Sequence, residues 1–135
     1  MIFEFVSDPF SEVRKVIKSW RPRGCKTEPQ YKKSLASKLE SELKKRKVER
    51  EYGTGLRRVD IVVDGKVPIE MKRDLTSQGV LQRTIGQLDL YLKDWDKVFL
   101  VICGEVRPEL LKSLKEYTSK KYHILGGERV EIIVK

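Results

Sequence analysis

Between Val59 and Lys72, branched apolar residues alternate with polar ones on either side of Asp64-Gly65. Alternation of period two around an Asp-Gly pair predicts two strands joined by a tight turn. Ile61 and Val63 share a face of the first strand, and Val67, Ile69 and Met71 share a face of the second. A two-residue loop sets the row Val67, Ile69, Met71 beside Asp60, and a slip of one residue reverses every side chain. A three-residue loop, read as a type I turn followed by a left-handed Gly65, brings all five apolar side chains to one core face. That register is the expected one, and it gathers Asp60, Glu70 and Lys72 on the opposite face.

The flanking pattern predicts the remaining elements. Ile2 to Val6 reads as a short strand, and Ser7-Asp8-Pro9 as a helix start ahead of the stripe Phe10, Val13, Ile17, Trp20. The run Trp20 to Gly24 breaks that helix. Thr27-Glu28-Pro29-Gln30 has the form of a capping box and opens a helix to about Arg46, with Tyr31, Leu35, Leu39 and Leu43 inward. Val48 to Tyr52 and Leu56 to Val62 are expected to pair across Gly53-Thr54-Gly55. Ser77 caps a helix to about Trp95 with Leu81, Ile85, Leu88 and Leu92 on one side. Lys97 to Cys103 is almost unbroken apolar sequence, as in a strand buried on both faces. Glu105 to Pro108 opens a last helix, and Tyr122 to Leu125, the Gly126-Gly127 turn and Arg129 to Val134 close the sheet. The order helix, three strands, helix, strand, helix, strand calls for the α/β class, a mixed central sheet with helices on both faces. Residues 1–26 read as a strand-and-helix extension with a linker, and 27–135 as a single compact domain.

A chain of 135 residues can bury a core without disulfides or structural metal. Its net charge of +9 favours an anionic partner, of which nucleic acid is the usual one. Cys25 and Cys103 lie far apart and the single histidine, His123, has no partner at a telling spacing, so zinc chemistry is not expected. No leader sequence and no apolar run of membrane-spanning length is evident, which places the expected setting in the cytoplasm, away from membranes.

Two carboxylates fixed on a sheet are hard oxygen ligands suited to Mg²⁺ or Mn²⁺, and a lysine two residues on can aim at the same point. Such a set suits metal-assisted phosphodiester hydrolysis: Asp60 and Glu70 bind metal, and Lys72 positions the attacking water. Asp60 and Glu70-Met71-Lys72 resemble the motif of the PD-(D/E)XK nuclease superfamily, with Val59 in place of the motif's proline. The predicted element order is also similar to that superfamily's from Thr27 to Lys135. The resemblance implies a restriction-endonuclease-like three-layer α/β/α fold with an αβββαβ core, and a Mg²⁺-dependent nuclease acting on DNA more than RNA.

The resemblance also implies a glutamate from the first helix of the core. Glu28 matches the family spacing, whereas reach favours Glu40. By that pairing Asp60 lies level with a point two or three residues, about 10 Å, along the first strand, and about six or seven helical residues span that distance back to Glu40. Glu49 is a further sheet carboxylate near Asp60 by the same pairing. Gln87 and Tyr91 resemble the Gln-x-x-x-Tyr element of exonuclease-like branches, which implies that Gln87 hydrogen-bonds near the metal site or substrate and that Tyr91 flanks it. Gln82 and Arg83 are lesser candidates. Arg57, Arg58, Arg73 and the run Lys44, Lys45, Arg46, Lys47 are candidates for backbone phosphate contacts; the run equally complements a helix dipole. Similarity to small junction resolvases implies a homodimer. The alternative is a catalytically silent nucleic-acid-binding subunit.

Overall fold

The computed structural model describes residues 8–124 and 127–135. The expected strand Ile2 to Val6 and part of the Gly126-Gly127 turn lie outside the described residues.

Asp8 caps α1 (Pro9–Ser19), its carboxylate accepting the Phe10 N–H. Thr27 and Gln30 form the expected capping box at the start of α2 (Glu28–Glu42), which stops four residues before Arg46. The strands β1 (Val48–Tyr52), β2 (Val59–Val63) and β3 (Val67–Leu75) follow, with a short 3₁₀ turn, Gly55–Arg57, between the first two. Ser77 caps α3 (Gln78–Asp94), which leads to β4 (Val98–Val106) and α4 (Pro108–Tyr122). The two-residue strands β5 (His123–Ile124) and β6 (Gly127–Glu128) form a separate ribbon ahead of β7 (Val130–Val134).

The main sheet has the order β1-β2-β3-β4-β7, antiparallel through β3 and parallel beyond. One face packs Ile61, Val63, Val67, Ile69 and Met71 against α1 and α2, through residues such as Val13, Ile17, Leu35 and Leu39. The other packs Val62, Leu100 and Ile102 against α3 and α4, through Leu81, Leu88 and Leu114. Three layers result, and β4 is buried on both faces because each side is roofed by helices. Trp20 is buried in the first layer and donates its indole N–H to Ser34 at 3.0 Å, so α1 belongs to the core and the tryptophan presents no ring to a ligand.

The register of the β2–β3 hairpin is the one burial demands. Val63 pairs with Val67, Val62 with Pro68 and Ile61 with Ile69, which leaves three residues in the loop. The turn itself differs from expectation. Asp64 and Gly65 both have positive φ, 55° and 63°, and the Lys66 N–H closes on the Val63 carbonyl at 3.0 Å, the handedness of a primed turn. Asp64 tolerates that backbone because its carboxylate is tied down, accepting from the Lys47 N–H at 2.8 Å and from Arg46 at 2.7 Å.

Candidate active site

The β2–β3 ladder ends at Ile61–Ile69, and one further step along it sets Asp60 opposite Glu70. The Met71 N–H, next in line for the ladder, donates instead to Asp60 Oδ2 at 2.8 Å. A backbone donor that has lost its strand partner therefore fixes the rotamer of one acid. Asp60 is 8% exposed and Glu70 3%. Lys72, two residues along the same face, brings Nζ to 3.6 Å from Glu70 Oε2.

Around this pair lies a cleft of about 290 Å³ lined from several elements. Glu28 and Lys32 come from α2, Glu51 from β1, Leu56 and Arg58 from the 3₁₀ turn and its exit, and Gln87 and Tyr91 from α3. A larger hollow of about 470 Å³ along α4, lined by Leu111 and several lysines, holds no paired acids. Chemistry therefore points to the smaller space.

The electrostatics follow from taking two acids out of water side by side. Burial, and then the charge and shared hydrogen bond of Asp60, push the Glu70 carboxyl up to about 8, against the opposing pull of Lys72 and Tyr91. The Tyr91 hydroxyl stands 3.0 Å from both Glu70 Oε2 and the Arg58 carbonyl. The hydroxyl donates to either acceptor, and its bond to Glu70 favours the carboxylate while burial and Asp60 favour the protonated acid. The Tyr91 phenol is itself driven up by burial and by the Glu70 charge. Lys32 sits 2.8 Å from Asp60 Oδ1 and 3.6 Å from Glu51 Oε1. Burial lowers its pKa, but the hydrogen bond and charge of Asp60, with Glu51 and Glu28, outweigh that and leave it raised.

Two buried oxygens here, Glu70 Oε1 and Gln87 Oε1, have no hydrogen-bond partner among the described residues. An unmet buried acceptor costs about 1–3 kcal/mol, and two acceptors beside an aspartate are what a hard cation satisfies. Asp60, Glu70 and Gln87 line one cleft and are of the oxygen-donor type that Mg²⁺ or Mn²⁺ takes. Among the described residues no three His, Cys, Asp or Glu side chains cluster closely enough to hold an ion by themselves, so an amide, water or substrate oxygen would complete the shell.

Several expectations need correction. Glu40 is exposed and ion-paired with Arg50, while Glu28 lines the cleft. Glu40 falls short because α2 ends at Glu42 and a five-residue loop, 43–47, intervenes before β1, which sets Asp60 level with the first half of the helix. Glu49 pairs with Val62, and Glu51 is the residue whose place on β1 faces Asp60. Tyr91 is 2% exposed: it lines the cleft with its ring buried, and its hydroxyl reaches Glu70. Arg46 clamps Glu12 of α1 to Asp64 of the hairpin turn, and no basic residue occupies the last turn of α2. Lys44, Lys45 and Lys47 are exposed, but they precede β1 at the end where Val48 pairs with Val63, away from Asp60. Arg57 and Arg58 are exposed at the cleft end, paired with Asp94 at 2.9 Å and Glu51 at 3.3 Å. Arg73 lines a smaller adjoining cavity of about 160 Å³ with Arg83, Glu28 and Lys72. Gln82 is exposed and lines neither space.

Lys32 and Glu51 escaped sequence reasoning. Lys32 carried a signal, standing four residues after Glu28 on the same helix face. Glu51 did not, because its φ of 51° departs from strand geometry in a way no local pattern announces.

Comparison with known proteins gives no match to any family model, curated protein or solved structure. No helix among the described residues is long and apolar enough to cross a membrane.

Proposed function

We propose that the protein is a metal-dependent nuclease that hydrolyses phosphodiester bonds in DNA, on a restriction-endonuclease-like version of its three-layer architecture. One observation carries the reading: Asp60 and Glu70 meet in a cleft where Glu70 Oε1 and Gln87 Oε1 are buried and unpartnered, with Lys72 alongside. A purely structural acid pair has no use for orphaned oxygens, whereas a cation site does.

Asp60, Glu70 and Gln87 would hold Mg²⁺ or Mn²⁺, which supplies charge neutralisation at a phosphate and a more acidic water. Tyr91 holds Glu70 Oε2 in place, and the Met71 amide does the same for Asp60. Lys72, only partly buried, is placed to orient a water or hold a phosphate oxygen. Lys32 and Glu28 lie on the α2 side of the cleft, where Lys32 moderates the charge of Asp60. The net charge of +9 draws a polyanion toward the cleft, and contacts to its phosphates select no sequence.

One observation favours the second reading, a silent nucleic-acid-binding subunit: the Lys32 ammonium already neutralises Asp60 without a metal. The deciding experiment incubates labelled duplex, flap, junction and single-stranded DNA with Mg²⁺, Mn²⁺ or EDTA. Metal-dependent cutting that is lost in Asp60→Ala and Lys72→Ala supports the nuclease. Binding without cutting under every metal condition supports the silent subunit.

A further inference from the structure

We infer that Leu56 is an apolar wedge against which a nucleic-acid base next to the bound phosphate is unstacked, so that the cleft prefers DNA whose stacking is already weakened. The inference rests on the proposed reading that the cleft takes a phosphodiester. Leu56 is 82% exposed, and the other exposed large hydrophobic among the described residues is Val134, near the end of β7. A single exposed leucine on a surface needs no explanation, so its position and mounting carry the argument.

The position is the lip of the cleft that also contains Asp60 and Glu70. The mounting is a 3₁₀ turn whose backbone is fastened on its far side. The Arg58 carbonyl accepts from the buried Tyr91 hydroxyl, the Arg58 N–H closes on the Gly55 carbonyl, and Arg57 pairs with Asp94 of α3. Gly53 and Gly55 supply the positive φ, 94° and 61°, that lets the chain double back and lift the leucine away from the sheet. The turn is thus tied to the helix that carries Gln87 and Tyr91, yet the leucine between its anchors is packed against nothing that covers it.

Charge chooses the partner. The residues after Leu56 are Arg57 and Arg58, and both remain exposed despite their ion pairs. A leucine flanked by arginines suits a base face beside phosphates, because apolar side chains inserted at a base step unstack it while neighbouring cations hold the backbone. Unstacking costs least at ends, nicks, flaps and junctions, and that sets the substrate class.

The test places single 2-aminopurines along a nicked or flapped duplex and titrates protein in EDTA, where no cutting occurs. Fluorescence reports unstacking and anisotropy reports binding on the same samples. Wild type is expected to raise the signal at one or two positions adjoining the discontinuity. Leu56→Ser is expected to abolish that rise while weakening binding no more than about tenfold, as loss of one apolar contact does. Leu56→Met, which keeps an apolar side chain, should retain the rise. If wild type binds and, with Mn²⁺, cuts DNA but no position brightens, the wedge is overturned and the nuclease reading stands. If the rise depends on Leu56 but no metal supports cutting, the wedge stands and the catalytic reading falls. Failure to bind DNA overturns both, and a dimer in solution that Leu56→Ser dissociates reassigns the leucine to a contact between copies.

Discussion

Lys32 Nζ of α2 stands 2.8 Å from Asp60 Oδ1 of β2, so a helix of one layer neutralises an acid that faces the opposite layer. On the proposed reading, this ammonium balances charge at Asp60 that a bound divalent ion would also balance. Lys32→Gln is expected to destabilise the metal-free protein by about 1–3 kcal/mol, because it leaves a largely buried carboxylate short of its partner. Mn²⁺ should restore much of the loss, since binding to the folded state alone raises stability. Denaturant unfolding with and without Mn²⁺ reads both effects. An unchanged midpoint in metal-free protein, with unchanged Mn²⁺ affinity, would remove Lys32 from the site.

Glu70 makes the site pH-dependent. Its folded-state pKa, about 8, lies above the ordinary carboxyl value, so the folded protein keeps a proton that the unfolded chain has released. Its contribution to stability is whole below the unfolded pKa and is lost as pH rises through about 8. Thermal unfolding of the protein without added metal should therefore show stability falling between about pH 5 and about pH 8 and levelling off above, and Glu70→Gln should flatten that slope. Divalent metal competes with the proton, so Mn²⁺ affinity should rise over the same interval, with proton release visible by calorimetry in two buffers. A slope unchanged by Glu70→Gln would assign it to other groups.

Glu28 and Glu40 sit on one helix with different surroundings. Glu28→Gln is expected to slow cleavage or weaken metal binding by about 10–100-fold, as loss of a residue supporting a metal site does. Glu40→Gln, which breaks only an exposed pair with Arg50, should change stability by less than about 1 kcal/mol and leave cleavage intact. Parallel metal titrations and cleavage rates of the two variants make the comparison. Equal losses would return the helical acid to its sequence-based position.

Gln87 offers a contrast between stability and function. Its Oε1 is buried and unpartnered, so Gln87→Leu removes an unmet acceptor and should leave metal-free stability unchanged or higher. Cleavage should fall by about 10²-fold, the scale for losing one polar contact aimed at a reacting centre. A variant that is destabilised yet fully active would make Gln87 a structural residue.

Much of the architecture was legible because local rules agreed with burial. Thr27 and Ser77 cap helices where capping chemistry places them, and β4 coincides closely with its apolar run. The candidate site was legible only in part. Tyr91 was expected to flank the metal site or substrate, and its ring is buried while its hydroxyl reaches Glu70 from beneath, a choice between two sides of one helix that spacing alone does not make. Arg46 looked like one of four equivalent cations, but packing of α1 gave it Glu12 and Asp64 as partners.

The sequence by itself determined the parity of the β2–β3 hairpin. Of a two-residue and a three-residue loop, the three-residue one buries Ile61, Val63, Val67, Ile69 and Met71 together, and that register sets Asp60 opposite Glu70. Tertiary structure alone decided which side chains meet those acids from outside the hairpin. The height of α2 against the sheet depends on where the helix stops and how the loop 43–47 runs, and neither leaves a periodic trace in the chain. Hence Lys32 and Glu28, not Glu40, stand at the cleft.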